Sequence, residues 1–178
     1  MKNRYVHRLI TAALFTALAC IATLVIQIRI IPTGGYINLG DCIVLVAAWV
    51  LSPFYGAASA AIGTMLADII SGYPLFAPAT FVIKGTMALV GGIVFRTLTL
   101  KLGKKMLIGC VCSALVAEAI MVLGYCGFEW FILGLGLAAV AGMPGNIIQA
   151  LCGGVAAIAI YLLMQRNTTI RTYLEQFR

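Results

Sequence analysis

Few side chains in this chain of 178 residues can do chemistry, and they do not form a catalyst's set. The ionisable and amide groups set within apolar stretches are Arg29, Asn38, Asp41, Asp68, Lys84, Glu118, Glu129, Asn146 and Gln149. Tyr36, Tyr73, Phe76, Tyr125 and Trp130 are interleaved with them. Carboxylates, cations, amides and rings together suit reversible capture of a small polar, aromatic molecule: charge and hydrogen bonds orient it, and rings stack on it. The single histidine, His7, lies in a basic N-terminal tail, which removes histidine-based metal or triad chemistry. The six cysteines (Cys20, Cys42, Cys110, Cys112, Cys126 and Cys152) all fall in or beside apolar runs. They read as small hydrophobic core residues rather than a disulfide framework or a zinc site. No phosphate-binding GxxxxGK[ST] loop, HExxH or GxSxG occurs, so no catalytic residue, metal or bound cofactor is expected, and no ATP hydrolysis by this chain alone.

Lipid must be the solvent for the elements that position these groups. Hydrophobic residues make up 63% of the chain and charged ones only 10%, against about 45–50% and 25% in an ordinary soluble domain. Mean hydropathy is +1.09. A soluble globule of this size exposes too much of its surface to hide so much apolar side chain. A cytoplasmic enzyme, a nucleic-acid-binding module and a secreted disulfide scaffold are thereby excluded. The net charge of +7 is no nucleic-acid signal either, because the basic residues sit in short connections and tails.

The pattern predicts an all-α integral membrane protein, one membrane domain over 1–178. Six transmembrane helices are expected at about 9–31, 39–51, 54–71, 80–98, 106–127 and 145–164, with an outer segment over 129–143. Both termini are placed in the cytoplasm. That layout collects Lys2, Arg4, Arg8, Arg96, Lys101, Lys104, Lys105, Arg166, Arg171 and Arg178 on one side, and leaves Arg29 and Lys84 toward the other. Reading 39–71 as one span, or 129–143 as a full span, breaks this positive-inside bias.

Polar groups at membrane depth are costly and usually functional, and here they gather toward the outer side. Each also has a plain structural reading. Asp68 and Lys84 could neutralise one another. The aromatic residues could form an interfacial belt. Glu118 could hydrogen-bond a neighbouring helix or face the pocket. Asn146 could stabilise a helix start after Pro144. Ala13 and Ala17 have a small-xxx-small spacing that lets another helix approach closely, and Ala60, Gly63 and Ala67 are in similar register. Such spacing serves packing within the bundle or a membrane partner. No inverted repeat of the kind common in autonomous carriers divides the chain.

The stretches GYINLGD (35–41), SPFYGAASAAIGTMLADIISGYPLFAPATFVIKG (52–85), MVLGY and FEW within 121–130, and PGNIIQA (144–150) occur in an order that resembles one family over nearly the whole chain. It is similar to the substrate-binding S components of energy-coupling factor (ECF) vitamin transporters, riboflavin-type subfamily. The resemblance implies high-affinity binding of a vitamin or precursor near the outer surface of a cell membrane, and a bacterial origin. Partners would be a transmembrane coupling (T) subunit and two cytoplasmic ATPases, with the S component toppling in the membrane to deliver its ligand. It carries the docking role for the coupling subunit over to Ala13 and Ala17. It puts Tyr36 and Asn38 in the gate, Asp41 at its base, and Asn146 and Gln149 among the ligand contacts. The mixed pocket suits a vitamin B6 form or a hydroxymethylpyrimidine-like heterocycle; riboflavin and a corrinoid stay open. The competing readings are an autonomous channel or secondary carrier, a membrane enzyme using Asp68 or Glu118 as acid or base, and an assembly protein with no ligand.

Overall fold

The computed structural model describes residues 2–102 and 106–175. Lys104, Lys105 and Arg178, counted above among the basic residues of one side, lie outside the described residues. Among the described residues there are seven α-helices: α1 Lys2–Val25, α2 Gly40–Val50, α3 Pro53–Ile70, α4 Ala77–Leu102, α5 Met106–Gly127, α6 Leu137–Arg166 and α7 Thr168–Glu175. Two short strands, β1 Gln27–Arg29 and β2 Tyr36–Asn38, pair antiparallel between α1 and α2. Among the described residues five helices are long and apolar enough to cross a membrane, at Val6–Val25, Pro53–Ile70, Ala77–Lys101, Met106–Ile132 and Leu137–Arg166.

The remaining apolar helix, α2, is only 11 residues long, about 16 Å at 1.5 Å per residue, and too short for a bilayer core of about 30 Å. It has no polar face, and a helix apolar all round is buried all round. Val44 through Leu51 are all buried, packed among α1, α3, α4 and α6. Ser52-Pro53 ends it, because proline disfavours helical backbone in the residue before it, and Arg96 donates to the Leu51 carbonyl at 2.8 Å. A second anchor lies in the same half of the bundle. Trp49 stacks with Phe95 and Tyr161, and its indole donates to Ser113 Oγ at 2.8 Å.

Three expected boundaries are corrected. The first helix stops at Val25, not 31. Ile26, Ile28 and Ile30 alternate with Gln27 and Arg29, which is strand periodicity, and Pro32 with Gly34 (φ 73°) turns the chain into a hairpin. The last long helix starts at Leu137 rather than 145 and runs through Pro144. Proline is tolerated there because a spanning bundle re-satisfies the freed backbone. Asn146 is therefore mid-helix and does not stabilise a helix start. The 129–143 segment divides into a π-helical turn over Phe128–Ile132 continuing α5, a short bend, and the first turns of α6.

The two small-residue sets face different ways. Ala60, Gly63 and Ala67 are buried within the bundle. A Cβ on Gly63 would strike the Thr16 carbonyl oxygen of α1 and come within 3.0 Å of Ala19 Cβ. Gly63→Leu is expected to cost about 1–3 kcal/mol through overpacking, read as a lower unfolding midpoint in detergent; an unchanged midpoint would contradict this close approach. Ala13 and Ala17 are exposed on the opposite side of α1, beside Leu14 and Leu18. The cysteines are free; Cys42 and Cys110 are buried, whereas Cys152 is exposed.

Candidate ligand-binding site

A cleft opens at the end of the bundle where α1, α3 and α5 finish and α2 and α4 begin. Nine of the fourteen expected residues line it. The hairpin contributes Tyr36 and Asn38, α3 contributes Asp68, and the α3–α4 connection contributes Phe76. Helix α4 supplies Lys84, α5 supplies Tyr125, the π-helical turn supplies Glu129, and α6 supplies Asn146 and Gln149. Sequence reasoning missed Thr23, Ile30, Gly35, Thr64 and Thr80. Thr64 precedes Asp68, and Thr80 precedes Lys84, by one helical turn, so each pair shares a face; that spacing was the available signal.

The floor is a closed polar network. Lys84 pairs with Asp41 Oδ1, both side chains being fully buried. Asp41 Oδ2 accepts from Gln149 Nε2 at 2.6 Å, and Gln149 Oε1 accepts from the Asn38 backbone N–H at 2.7 Å. Asn38 Oδ1 in turn accepts from Gly40 N–H at 2.8 Å. Asp41 lies in the first turn of α2, where the helix dipole favours a carboxylate. Gly153 lets α6 cross closely, since a Cβ there would come within 2.8 Å of Asp41 Cβ. The alternative in which Asp68 and Lys84 neutralise one another is not the pairing that forms. Lys84 is taken by Asp41, its ammonium 5.5 Å from the Tyr125 ring centre, and Asp68 accepts a hydrogen bond from the Tyr36 hydroxyl.

The mouth is aromatic. Tyr73 stacks on Tyr36 at 4.7 Å between ring centres and meets Phe76 edge-on, and Phe76 meets Phe128 likewise. Burial, and then the hydrogen bond to Asp68, hold the Tyr36 phenol well above the usual tyrosine range, so it stays a donor throughout neutral pH. Tyr36→Phe removes the bond that ties the hairpin to α3. A hydrogen bond to a charged group is worth about 1.5–3 kcal/mol, so ligand dissociation is expected to accelerate roughly tenfold or more by stopped-flow fluorescence. An unchanged off-rate would remove Tyr36 from the gate.

Five expected residues stand outside the lining. Asp41 is directly beneath it and Tyr73 is behind Tyr36. Arg29 is exposed on β1, opposite Tyr36 in the strand register. Trp130 is 37% exposed and rests on Phe131, because the π-helical turn directs Glu129 inward and Trp130 outward. Glu118 lines a lateral groove between α5 and α6, with both carboxylate oxygens buried and without a hydrogen-bond partner.

The free volume of the cleft is about 20 Å³, room for roughly one water. Entry of a ring-sized ligand must therefore move the hairpin or the Tyr73–Phe76 corner. A bundle of apolar helices with a polar cleft at one end has the form of a membrane-embedded protein that binds a small ligand. Residues 3–166 match the family described as ECF-type riboflavin transporter, S component, and the chain belongs to that family. The fold is similar to that of a solved S component of a bacterial ECF transporter, with a TM-score of 0.68 and 20% identity, over 93% of this chain and 98% of that one. An uncharacterised protein from Pyrococcus woesei is 35% identical over 147 residues, 82% of this chain and 94% of the relative. The family is one of membrane transport subunits whose members bind a transported vitamin.

Proposed function

We propose that this chain is the high-affinity binding subunit of an ATP-driven ECF transporter in a cell membrane, bacterial as the sequence pattern suggests. It takes a small water-soluble vitamin or precursor from the outer side. It passes the ligand inward with a coupling subunit and two ATPases. The observation that carries this reading is the cleft itself. Its polar floor, Lys84–Asp41–Gln149–Asn38, is fully or almost fully buried inside an apolar bundle, which nothing in packing alone requires. It lies at the bundle end away from Arg96, Lys101 and Arg166, so the positive-inside rule turns it outward. The exposed face around Ala13 and Ala17 is the docking surface for the coupling subunit, since small residues let a partner helix approach closely. The ligand is a hydroxylated heterocycle, a vitamin B6 form or a hydroxymethylpyrimidine; riboflavin, after which the family is described, is the comparison to run beside it.

The test is to purify the protein, identify any co-purified small molecule by mass spectrometry, and titrate it against tryptophan fluorescence. Trp130, beside the inward-facing Glu129, is expected to report binding. Trp49 is locked in the opposite half of the bundle and is expected to be silent, so Trp130→Phe should abolish the signal without changing affinity by calorimetry. Tight binding with no flux in liposomes supports the reading. Ligand-specific flux from this chain alone would establish an autonomous carrier instead.

A further inference from the structure

We propose that the ligand of this cleft carries a positive charge, a protonated amine on a small heterocycle, held by Asp68 and Glu129. The inference rests on the binding-subunit reading and narrows its substrate class. Lys84 is the one basic side chain among the lining residues, and Asp41 beneath the cleft already takes it. Asp68 and Glu129 remain. Each is 98% buried, at 2% relative exposure, and each lines the cleft.

Neither carboxylate is fully satisfied by the protein: the Thr80 and Tyr36 hydroxyls face Asp68 and that of Thr33 faces Glu129, yet one oxygen of each is left over. Asp68 Oδ1 accepts from Tyr36, but Oδ2 is buried without a hydrogen-bond partner, as is Glu129 Oε2. A buried carboxylate oxygen left unpaired is costly, and a ligand with charged N–H donors removes that cost. A neutral ring with hydroxyl groups could satisfy hydrogen bonds but would leave the excess negative charge uncompensated. An anionic vitamin would add to it.

The full chain in nanodiscs is titrated by calorimetry with pyridoxamine and an aminomethyl-pyrimidine as cations, pyridoxine and riboflavin as neutral probes, and pantothenate as an anion. At least one cation is expected to bind tenfold or more tighter than every neutral or anionic probe. Asp68→Asn and Glu129→Gln are each expected to weaken that cation about tenfold to a hundredfold, and to weaken pyridoxine by a clearly smaller factor, so that the preference for the cation over pyridoxine falls. Asp68→Glu and Glu129→Asp should recover part of the loss, and thermal unfolding reports which variants fold; either carboxylate alone suffices for the comparison. If riboflavin, pyridoxine or pantothenate binds tightest, or the neutral variants bind the cation as well as the parent chain, the charge assignment is overturned and the binding-subunit reading stands. If no probe binds and the purified protein carries no small molecule, that reading fails, and this one with it.

Discussion

Lys84→Met is expected to destabilise the protein by about 3–5 kcal/mol and to abolish ligand binding. Asp41 is wholly buried and Lys84 nearly so, and they pair directly. Removing the lysine strands a carboxylate in an apolar bundle, which is the expensive way to break a buried ion pair. Gln149 holds only the other Asp41 oxygen and cannot replace the charge. The double variant Asp41→Leu with Lys84→Met removes both charges. It is expected to recover most of the stability, because a well-packed apolar pair often equals or exceeds a buried ion pair. It should still not bind ligand, because the network that fixes Gln149 and the hairpin at Asn38 is gone. Chemical denaturation in detergent and calorimetry together check this. A single variant as stable as the parent chain would show that Lys84 is not what compensates Asp41.

Replacing Ala13 and Ala17 together with tryptophan is expected to lower uptake at least tenfold while leaving the dissociation constant within about twofold. The physical basis is the direction each face of α1 points. Phe15, Ala19 and Thr23 are buried against the bundle, whereas Ala13 and Ala17 are exposed between them in the helical repeat. Bulk added on the exposed face meets no part of this chain but holds a partner helix away. Uptake is measured in cells carrying the whole transporter, and binding on the purified subunit. Loss of both would indicate a folding defect and withdraw the docking role; normal uptake would do the same.

Much of the site was legible in the sequence because lipid makes polar residues conspicuous. Asn146 and Gln149, three residues apart on one helix face, were expected to face one pocket, and both line the cleft. Asp68 and Lys84 were expected at the same bundle end and also line it, yet they do not pair. Their side chains have alternative partners in Tyr36 and Asp41, which spacing along the chain cannot rank. Glu118 could not be assigned for a similar reason. A fraction of a turn in rotation decides between the cleft and the lateral groove, and α5 is apolar on every side, so no hydrophobic stripe fixes its rotation. The hairpin shows in the sequence only as the short alternation Ile26-Gln27-Ile28-Arg29-Ile30, which follows α1 directly and is easily read as its continuation. The π-helical turn was hidden because one extra residue per turn leaves no compositional mark.

The solvent, the apolar bundle, and the set of side chains from which a binding site could be made are all legible in the amino-acid sequence. Those follow from composition and local periodicity, which each residue carries with it. Tertiary structure alone decided the pairing: Lys84 with Asp41, Tyr36 with Asp68, Glu129 turned inward and Trp130 outward, and Asp68 and Glu129 each with an unsatisfied oxygen. Those choices depend on distances between helices far apart in the chain, set by how α2 is buried and how closely Gly63 and Gly153 let their neighbours approach.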